Sequence, residues 1–168
     1  MSMPSMSLSI RSLLLVVALI AADAAAVQAD PADVGTLDGI IAAYYEVVSG
    51  PAGGVVDTAR DRSLHHPDAQ VAIIRTGDDG VRRVDVMTLE DYHGANAPRA
   101  APFYEYETDR SVRRSGDLVH VWSHYAYASE PGGTPTHGGV NSITLHHDGD
   151  RYWILNWSFD ADAGPSVE

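Results

Sequence analysis

The sequence GGVNSITLHHDGDRYWILNWSFD, residues 138–160, predicts two β-strands joined by a tight turn. Polar and apolar side chains alternate on both sides of Asp148-Gly149, a dipeptide typical of two-residue hairpin loops. The same alternation precedes it from Tyr104 onward, so the last third of the chain indicates a four-stranded meander. Its predicted strands span residues 104–114, 117–129, 138–147 and 151–160.

Short helices and one more hairpin are predicted upstream of the meander. Thr36 is a suitable N-cap, and apolar side chains then recur at helical spacing as far as Gly50-Pro51. Thr88 and Asp91 form a capping-box pattern for a later short helix. The predicted helices cover residues 37–48 and 55–63 and a third segment that follows Thr88 and ends at Gly94 or Pro98; the hairpin strands cover 71–75 and 82–87. This order predicts one α+β domain over residues 30–160, with residues 161–168 as a frayed tail.

The N-terminal segment, residues 1–29, has the pattern of a secretory signal peptide. Arg11 precedes the apolar run 13–22, and the small residues 27–29 suggest cleavage after Ala29. The alternative is an uncleaved membrane anchor, but the run is shorter than the roughly 20 residues that a bilayer requires. We expect a periplasmic or secreted bacterial protein, without a membrane association after cleavage.

Composition excludes several kinds of chemistry. The formal net charge of -12 argues against binding to nucleic acid or to anionic membranes, since both require a clustered positive surface. The chain has no cysteine, and all 11 basic residues are arginine. Thiol catalysis, disulfides and lysine Schiff bases are therefore excluded.

The turns predict which side chains share a face of the sheet. A two-residue loop at Asp148-Gly149 pairs Asn141 with Asn156, and one at Ser115-Gly116 pairs Tyr106 with Tyr125. The loop after Ser129 leaves the next register open, and we favour the one that aligns the apolar residues of neighbouring strands. This arrangement predicts a polar, aromatic pocket under the first helix, with these ligand-binding residues: Tyr44, Tyr92, Tyr104, Tyr106, Ser123, Tyr125, Asn141 and Asn156.

The opposite face of the sheet gathers tryptophan and histidine. Trp122, His124, Trp153 and Trp157 are expected there, and so much aromatic area on an exposed face is typical of an interface. We therefore expect a homodimer through this face. A module that uses it to bind another protein is the alternative.

The complete element order resembles the nuclear transport factor 2-like superfamily, in particular its SnoaL-like bacterial branch. The resemblance is carried by YYEVVSGP (44–51), HPDA (66–69), VWSHY (121–125), GGVNSITL (138–145) and DGDRYWI (148–154). It implies a cone-shaped α+β fold, with three helices packed on a curved, mixed or antiparallel sheet. Function varies widely on this fold, so the resemblance does not imply one reaction.

Residue-by-residue comparison with enzymes of that superfamily leaves catalysis open. Ketosteroid isomerases place a carboxylate shortly after the DA motif, where this chain has the apolar Ile73. Tyr44 occupies the position of their first-helix oxyanion tyrosine. A binding protein for a moderately apolar, oxygenated ligand is favoured; a metal-independent lyase or isomerase is the alternative. In that alternative an inverted sheet would let His124 and Glu107 act as a general base.

The histidines do not indicate a metal site. His120 and His124 lie four residues apart on a predicted strand, about 13 Å at ~3.3 Å per residue, too far to share one ion. Adjacent pairs such as His146-His147 point to opposite faces of a strand. We expect no metal and no cofactor.

Overall fold

The computed structural model describes residues 28–95 and 97–164. Residues 1–27, most of the predicted signal peptide, lie outside the described residues, so cleavage after Ala29 stays a prediction. The described chain forms helices α1 (Pro31–Val34), α2 (Leu37–Val48), α3 (Thr58–Leu64) and α4 (Leu89–Gly94). Its strands are β1 (His65–Thr76), β2 (Arg82–Thr88), β3 (Tyr104–Ser115), β4 (Leu118–Ala128), β5 (His137–His147) and β6 (Tyr152–Asp160). No described helix has the length and apolar character to cross a membrane.

Local chemistry sets the starts of α2 and α4 where the sequence predicts them, whereas α3 starts at Thr58, three residues after the predicted Val55. The Thr36 hydroxyl accepts a hydrogen bond from the backbone N–H of Gly39, which caps α2. Thr88 and Asp91 form the predicted capping box of α4. Helix α1 is absent from the sequence-based predictions, since residues 30–35 show no apolar periodicity. It forms because Asp30 caps it and Pro31 favours a first helical turn.

The strands form one mixed sheet in the order β2-β1-β6-β5-β4-β3. Only β1 and β6 pair in parallel, and the other neighbouring strands are antiparallel. Helix α2 packs across β3 and β6 on one face of this sheet. The observed element order and sheet confirm the predicted α+β architecture.

The register that the sequence leaves open, between β4 and β5, is the favoured one. Val119 pairs with Leu145, Val121 with Ile143, and Ser123 with Asn141. The apolar members of these pairs are completely buried beneath α2. The helices therefore cover the face predicted to hold the pocket.

The predicted register of β5 with β6 is wrong, for two reasons. The loop spans residues 148–151, since Asp148 Oδ1 accepts hydrogen bonds from the N–H groups of Asp150 and Arg151. This shift of two residues leaves the faces unchanged. A bulge at Leu155 adds a third residue, so that Thr144 pairs with Asn156 and every later side chain of β6 changes face.

A second bulge, at Thr108, has the same effect on β3. The hairpin loop is Gly116-Asp117, and Gly116 has the positive φ of 59° that this turn requires. Beyond the bulge, Tyr125 pairs with Glu107 and Tyr127 pairs with Glu105. These glutamates therefore lie on the helix-covered side, where the sequence places tyrosines.

The start of the predicted tail is attached to the sheet. Ala161 N–H donates to the carbonyl of Ile74, and an Asp162 carboxylate oxygen accepts from Thr76 N–H and from Arg82. Residues 161 and 162 thus extend the β1–β6 pairing. Residues 165–168 lie outside the described part of the chain.

Candidate functional site

A cavity of about 650 Å³ lies between the sheet, helices α2 and α4, and the segment that precedes β3. Seven aromatic rings line it: Tyr44, Tyr92, Phe103, Tyr125, Tyr127, Trp157 and Phe159. Polar groups enter the lining at Arg99, Glu105, His137 and Asn141. An apolar cavity of this size with few polar groups is typical of small-molecule sites.

Edge-to-face and stacked contacts hold the aromatic wall. The Trp157 ring lies 5.7 Å from Tyr44 and 5.1 Å from Tyr92, both edge-to-face, and stacks on Phe159 at 5.6 Å. Trp157 therefore joins α2, α4 and β6 at the cavity wall. The Tyr44 hydroxyl donates to no acceptor among the described residues, and burial raises its pKa, so it stays a protonated donor.

Asn141 holds the polar end of the cavity. Its Nδ2 donates to Glu105 Oε1 at 3.1 Å and to the Tyr45 hydroxyl at 3.3 Å. The second carboxylate oxygen of Glu105 and the Oδ1 of Asn141 have no hydrogen-bond partner among the described residues. Two adjacent polar atoms are thus available at this end of the cavity.

A chain of hydrogen bonds behind Asn141 fixes the direction of each donor. Glu107 pairs with Arg110 at 2.8 Å and accepts the Ser123 hydroxyl hydrogen at its other oxygen. Since Ser123 has only one hydrogen, the Tyr45 hydroxyl donates to Ser123, at 2.7 Å. Tyr45 must then accept from Asn141, which orients the amide with Nδ2 toward Glu105.

Glu105 is the carboxyl group of the cavity. It lies on β3, keeps part of its surface exposed to the cavity, and is otherwise enclosed by protein. Burial raises the pKa of Glu105 to about 7, and the Asn141 hydrogen bond offsets this only in part. At neutral pH, Glu105 therefore exists in both the acid and the carboxylate form.

Four predicted ligand-binding residues line the cavity, namely Tyr44, Tyr92, Tyr125 and Asn141. Ser123 lies directly behind them, completely buried in the hydrogen-bond chain. Burial raises the pKa of both Tyr92 and Tyr125 to about 12, so their hydroxyls remain protonated.

Tyr104, Tyr106 and Asn156 do not line this cavity. The bulge at Thr108 turns the two tyrosines to the other face of β3. The bulge at Leu155 does the same to Asn156, whose Nδ2 donates to the Gln70 carbonyl at 3.0 Å. The pairing of Asn141 with Asn156 is therefore wrong, and Asn141 is the one amide that the described residues contribute to the cavity lining.

Of the residues predicted at the dimer face, Trp122, His124 and Trp153 lie on the outer face of the sheet. Trp122 is 39% exposed. Trp157 is only 3% exposed because the β6 bulge turns it toward α2. Its placement on the outer face is wrong. Since His124 lies outside and Glu107 inside, the His124–Glu107 base also does not form.

A buried cluster on the helical side is absent from the sequence-based predictions. Asp61 on α3 lies 2.7 Å from His93 Nε2, and its carbonyl lies 2.8 Å from His65 Nδ1. Burial lowers the pKa of His65, which favours the neutral ring. The cluster connects α3, β1 and α4, and so supports the position of Tyr92. Among residues 28–95 and 97–164, no cluster of His, Cys, Asp or Glu has an arrangement that could hold a metal.

Among the cavity residues that sequence reasoning missed are its two charged ones, Glu105 and Arg99. The alternation of tyrosine and glutamate in YEYE, residues 104–107, means that either pair could face inward. Arg99 carries no local signal, because it belongs to no strand or helix.

No family model and no curated protein matches this sequence. Three solved structures give the following similarities. An NTF2-like protein from Cytophaga hutchinsonii is 16% identical with a TM-score of 0.43, over 62% of this chain and 82% of that one. An NTF2-like protein of unknown function from Shewanella baltica is 11% identical with a TM-score of 0.45, over 79% and 98%. The β subunit of a putative aromatic-ring-hydroxylating dioxygenase from Novosphingobium aromaticivorans is 12% identical with a TM-score of 0.43, over 63% and 74%.

Proposed function

We propose that this protein binds a small, moderately apolar molecule that carries a hydroxyl or carbonyl group. The observation that carries the proposal is the aromatic cavity of about 650 Å³ with Asn141 and Glu105 at one end. The rings supply apolar contact area, and the adjacent polar atoms fix the orientation of the ligand.

Asn141 Oδ1 and the second carboxylate oxygen of Glu105, the two polar atoms without a partner among the described residues, favour an oxygenated ligand. Asn141 Oδ1 accepts a hydrogen bond from a hydroxyl group. The protonated form of Glu105 donates to a carbonyl, and its carboxylate form accepts from a hydroxyl. A purely apolar ligand would leave both atoms buried without partners, which costs about 1–3 kcal/mol for each group.

Asn141 and Asn156 provide a matched test. The probe is 2-naphthol, whose own fluorescence reports binding. The comparison ligand is 2-methoxynaphthalene, which lacks the hydroxyl hydrogen of 2-naphthol. We expect Asn141→Leu to weaken 2-naphthol binding about tenfold, the equivalent of one hydrogen bond. Asn156→Leu changes the other amide, outside the cavity, and should leave binding unchanged. Equal affinities in the wild type and both variants would contradict the proposal, as would an absence of 2-naphthol binding.

A second candidate function, a metal-independent lyase or isomerase, is favoured by the position of Glu105. A carboxylate with a pKa of about 7 can accept a proton from carbon and return it at neutral pH. The Tyr44 hydroxyl is a donor without a protein acceptor among the described residues, and it can stabilise an enolate oxygen. In such a step Glu105 removes a proton next to a ketone, and the C–H electron pair forms the enolate.

Deuterium exchange tests this chemistry without knowledge of the substrate. The probe is 2-tetralone in D₂O near pD 8, with loss of the C1 proton signal followed by NMR. The acid–base hypothesis expects exchange above the buffer rate in the wild type and at the buffer rate in Glu105→Gln. Glu130→Gln, at an exposed carboxylate outside the cavity lining, is the control. Exchange that persists in Glu105→Gln would eliminate Glu105 as the base.

Export is a further part of the proposal, supported by the N-terminal pattern Arg11, residues 13–22 and Ala29. Expression in a bacterial host, fractionation and N-terminal sequencing test it. We expect the periplasmic or secreted form to begin at Asp30. A full-length chain retained in the membrane fraction would support the anchor instead.

A further inference from the structure

Arg99 reaches the cavity from a segment that is firmly attached to the rest of the fold. Its backbone N–H donates to the Gly54 carbonyl at 2.9 Å, and its own carbonyl accepts from Gly53 N–H at 2.8 Å. Phe103, four residues later, pairs with Gly50 through two further backbone hydrogen bonds. The position of the Arg99 side chain is therefore defined before any ligand binds.

The guanidinium group uses only part of its hydrogen-bonding capacity within the protein. Nε and Nη2 donate to the Val48 carbonyl at 3.2 and 2.9 Å, and Nη2 also approaches the Val47 carbonyl at 3.5 Å. These carbonyls end α2 and lack intrahelical donors. Nη1 donates to no acceptor in the described part of the chain, which leaves two N–H groups available.

Most arginines of this acidic chain pair with a carboxylate, and Arg99 differs from them. Ion pairs are formed by Arg60, Arg62, Arg75, Arg82, Arg83 and Arg110. Within the described residues no carboxylate lies within ion-pair distance of Arg99. A half-buried cation without an anionic partner, in the wall of an apolar cavity, attracts an anionic ligand.

Two glycines leave room around the guanidinium. A Cβ atom on Gly50 would lie 2.8 Å from Arg99 Nη1, and one on Gly54 would lie 3.2 Å away. Side chains at these positions would collide with Nη1 or cover it. The loop before α3 thus keeps the unpaired donors uncovered.

We propose that Arg99 forms an anion subsite and that the ligand, in the cavity of the proposed function, is an apolar monocarboxylate with a hydroxyl or carbonyl group at its other end. The carboxylate binds Arg99 Nη1, the rings contact the apolar body, and Asn141 with Glu105 binds the distal oxygen. Arg99 and Glu105 form no ion pair with each other, so both groups are available to one ligand.

A matched pair of ligands tests the subsite. The probes are 6-hydroxy-2-naphthoate and its methyl ester, which differ in the negative charge at one end. We expect the acid to bind wild-type protein about tenfold more tightly than the ester, as for one charge-assisted hydrogen bond. Arg99→Met should remove this preference by weakening the acid alone, and Arg99→Lys should restore part of it. Raising the salt concentration should reduce the preference in the wild type.

The outcomes separate a ligand contact from a helix cap. Equal wild-type affinities for acid and ester would overturn the subsite, and so would an Arg99→Met variant that loses both ligands equally. If Arg99→Met does not fold, three other measurements test the subsite. They are the preference of the wild type for the acid, the salt dependence of that preference, and its partial retention in Arg99→Lys. The proposed function is tested separately by 2-naphthol, which has no charge: its binding can persist when the subsite fails.

Discussion

Asn141 Nδ2 donates to Glu105 Oε1 across 3.1 Å, which joins β5 to β3 over the intervening strand β4. This contact connects the only amide in the cavity lining to its only carboxyl group, within the part of the chain that the structure describes. The contact orients the Asn141 amide and lowers the pKa of Glu105, against the larger effect of burial. The pH dependence of stability is a measurable consequence of the environment of Glu105.

The stability of the protein should depend on pH through Glu105. Burial raises its pKa from the ordinary value of 4.5 to about 7, so between these pH values the folded state binds a proton that the unfolded state releases. The resulting stability is complete below pH 4.5 and is lost as pH rises through about 7. The loss amounts to about 2–3 kcal/mol, allowing for solvent in the cavity. Urea denaturation between pH 4 and 8 measures it.

Glu105→Gln is the control for that slope. The variant keeps the side-chain shape but cannot ionise, so its unfolding free energy should lack this decrease. His65 acts in the opposite direction, because its lowered pKa makes the folded state bind fewer protons as pH approaches 6.5 from below. The His65 contribution is the same in the wild type and in Glu105→Gln, so it cancels in the difference between their unfolding free energies. Parallel curves for the two proteins would contradict the assignment.

The tryptophans should differ sharply in their contribution to stability. Trp157→Ala removes a side chain that is 3% exposed and contacts two tyrosines and Phe159, so it should cost about 3–5 kcal/mol. Trp122→Ala, on the outer face, should cost the fold of the single protomer less than about 1 kcal/mol. Chemical denaturation compares them. Similar costs would show that the face assignment after Leu155 is incorrect.

The buried Asp61 should be essential to the position of α4. Asp61→Ala removes the carboxylate that contacts His93 and leaves this buried histidine without its partner, at an expected cost of about 2–4 kcal/mol, whereas His65 keeps its contact with the backbone carbonyl of residue 61. Asp68→Ala provides the contrast, because this carboxylate is exposed and its removal should change stability by no more than ~0.5 kcal/mol. Thermal and urea melts measure both. A minor effect at Asp61 would mean that apolar packing alone holds α4.

The outer face remains our proposal for a homodimer contact. One row across all six strands contains no charged residue: Val86, Ala72, Ser158, Ser142, Trp122 and Ser111. An uncharged surface on a chain of net charge -12 allows two copies to approach without repulsion. Light scattering should show a dimer for the wild type and a monomer for Trp122→Arg. Val55→Arg, at an exposed site outside the sheet, should stay dimeric; a monomeric wild type refutes the proposal.

Much of the fold could be predicted from the sequence because its causes are local. Alternating side chains, the glycine turns and the Thr36 and Thr88 caps identify strands, hairpins and helix starts. The sequence left the β4–β5 register open, but the favoured face assignment, with Val121 on the same side as Ile143, is the observed one. Tyr44 and Asn141 were placed correctly in the cavity wall for this reason.

Tertiary structure alone decided the chemistry of the cavity. Because of the bulges at Thr108 and Leu155, the inner face carries Glu107 in place of Tyr106 and Trp157 in place of Asn156. No residue type at either position predicts a bulge, because each bulge results from the way in which whole strands pair with their neighbours and pack against α2. A shift of one residue moves every later side chain of a strand to the opposite face. The sequence by itself therefore determines that the sheet has a helix-covered face and an outer face, but not which carboxylate or aromatic ring lies on each.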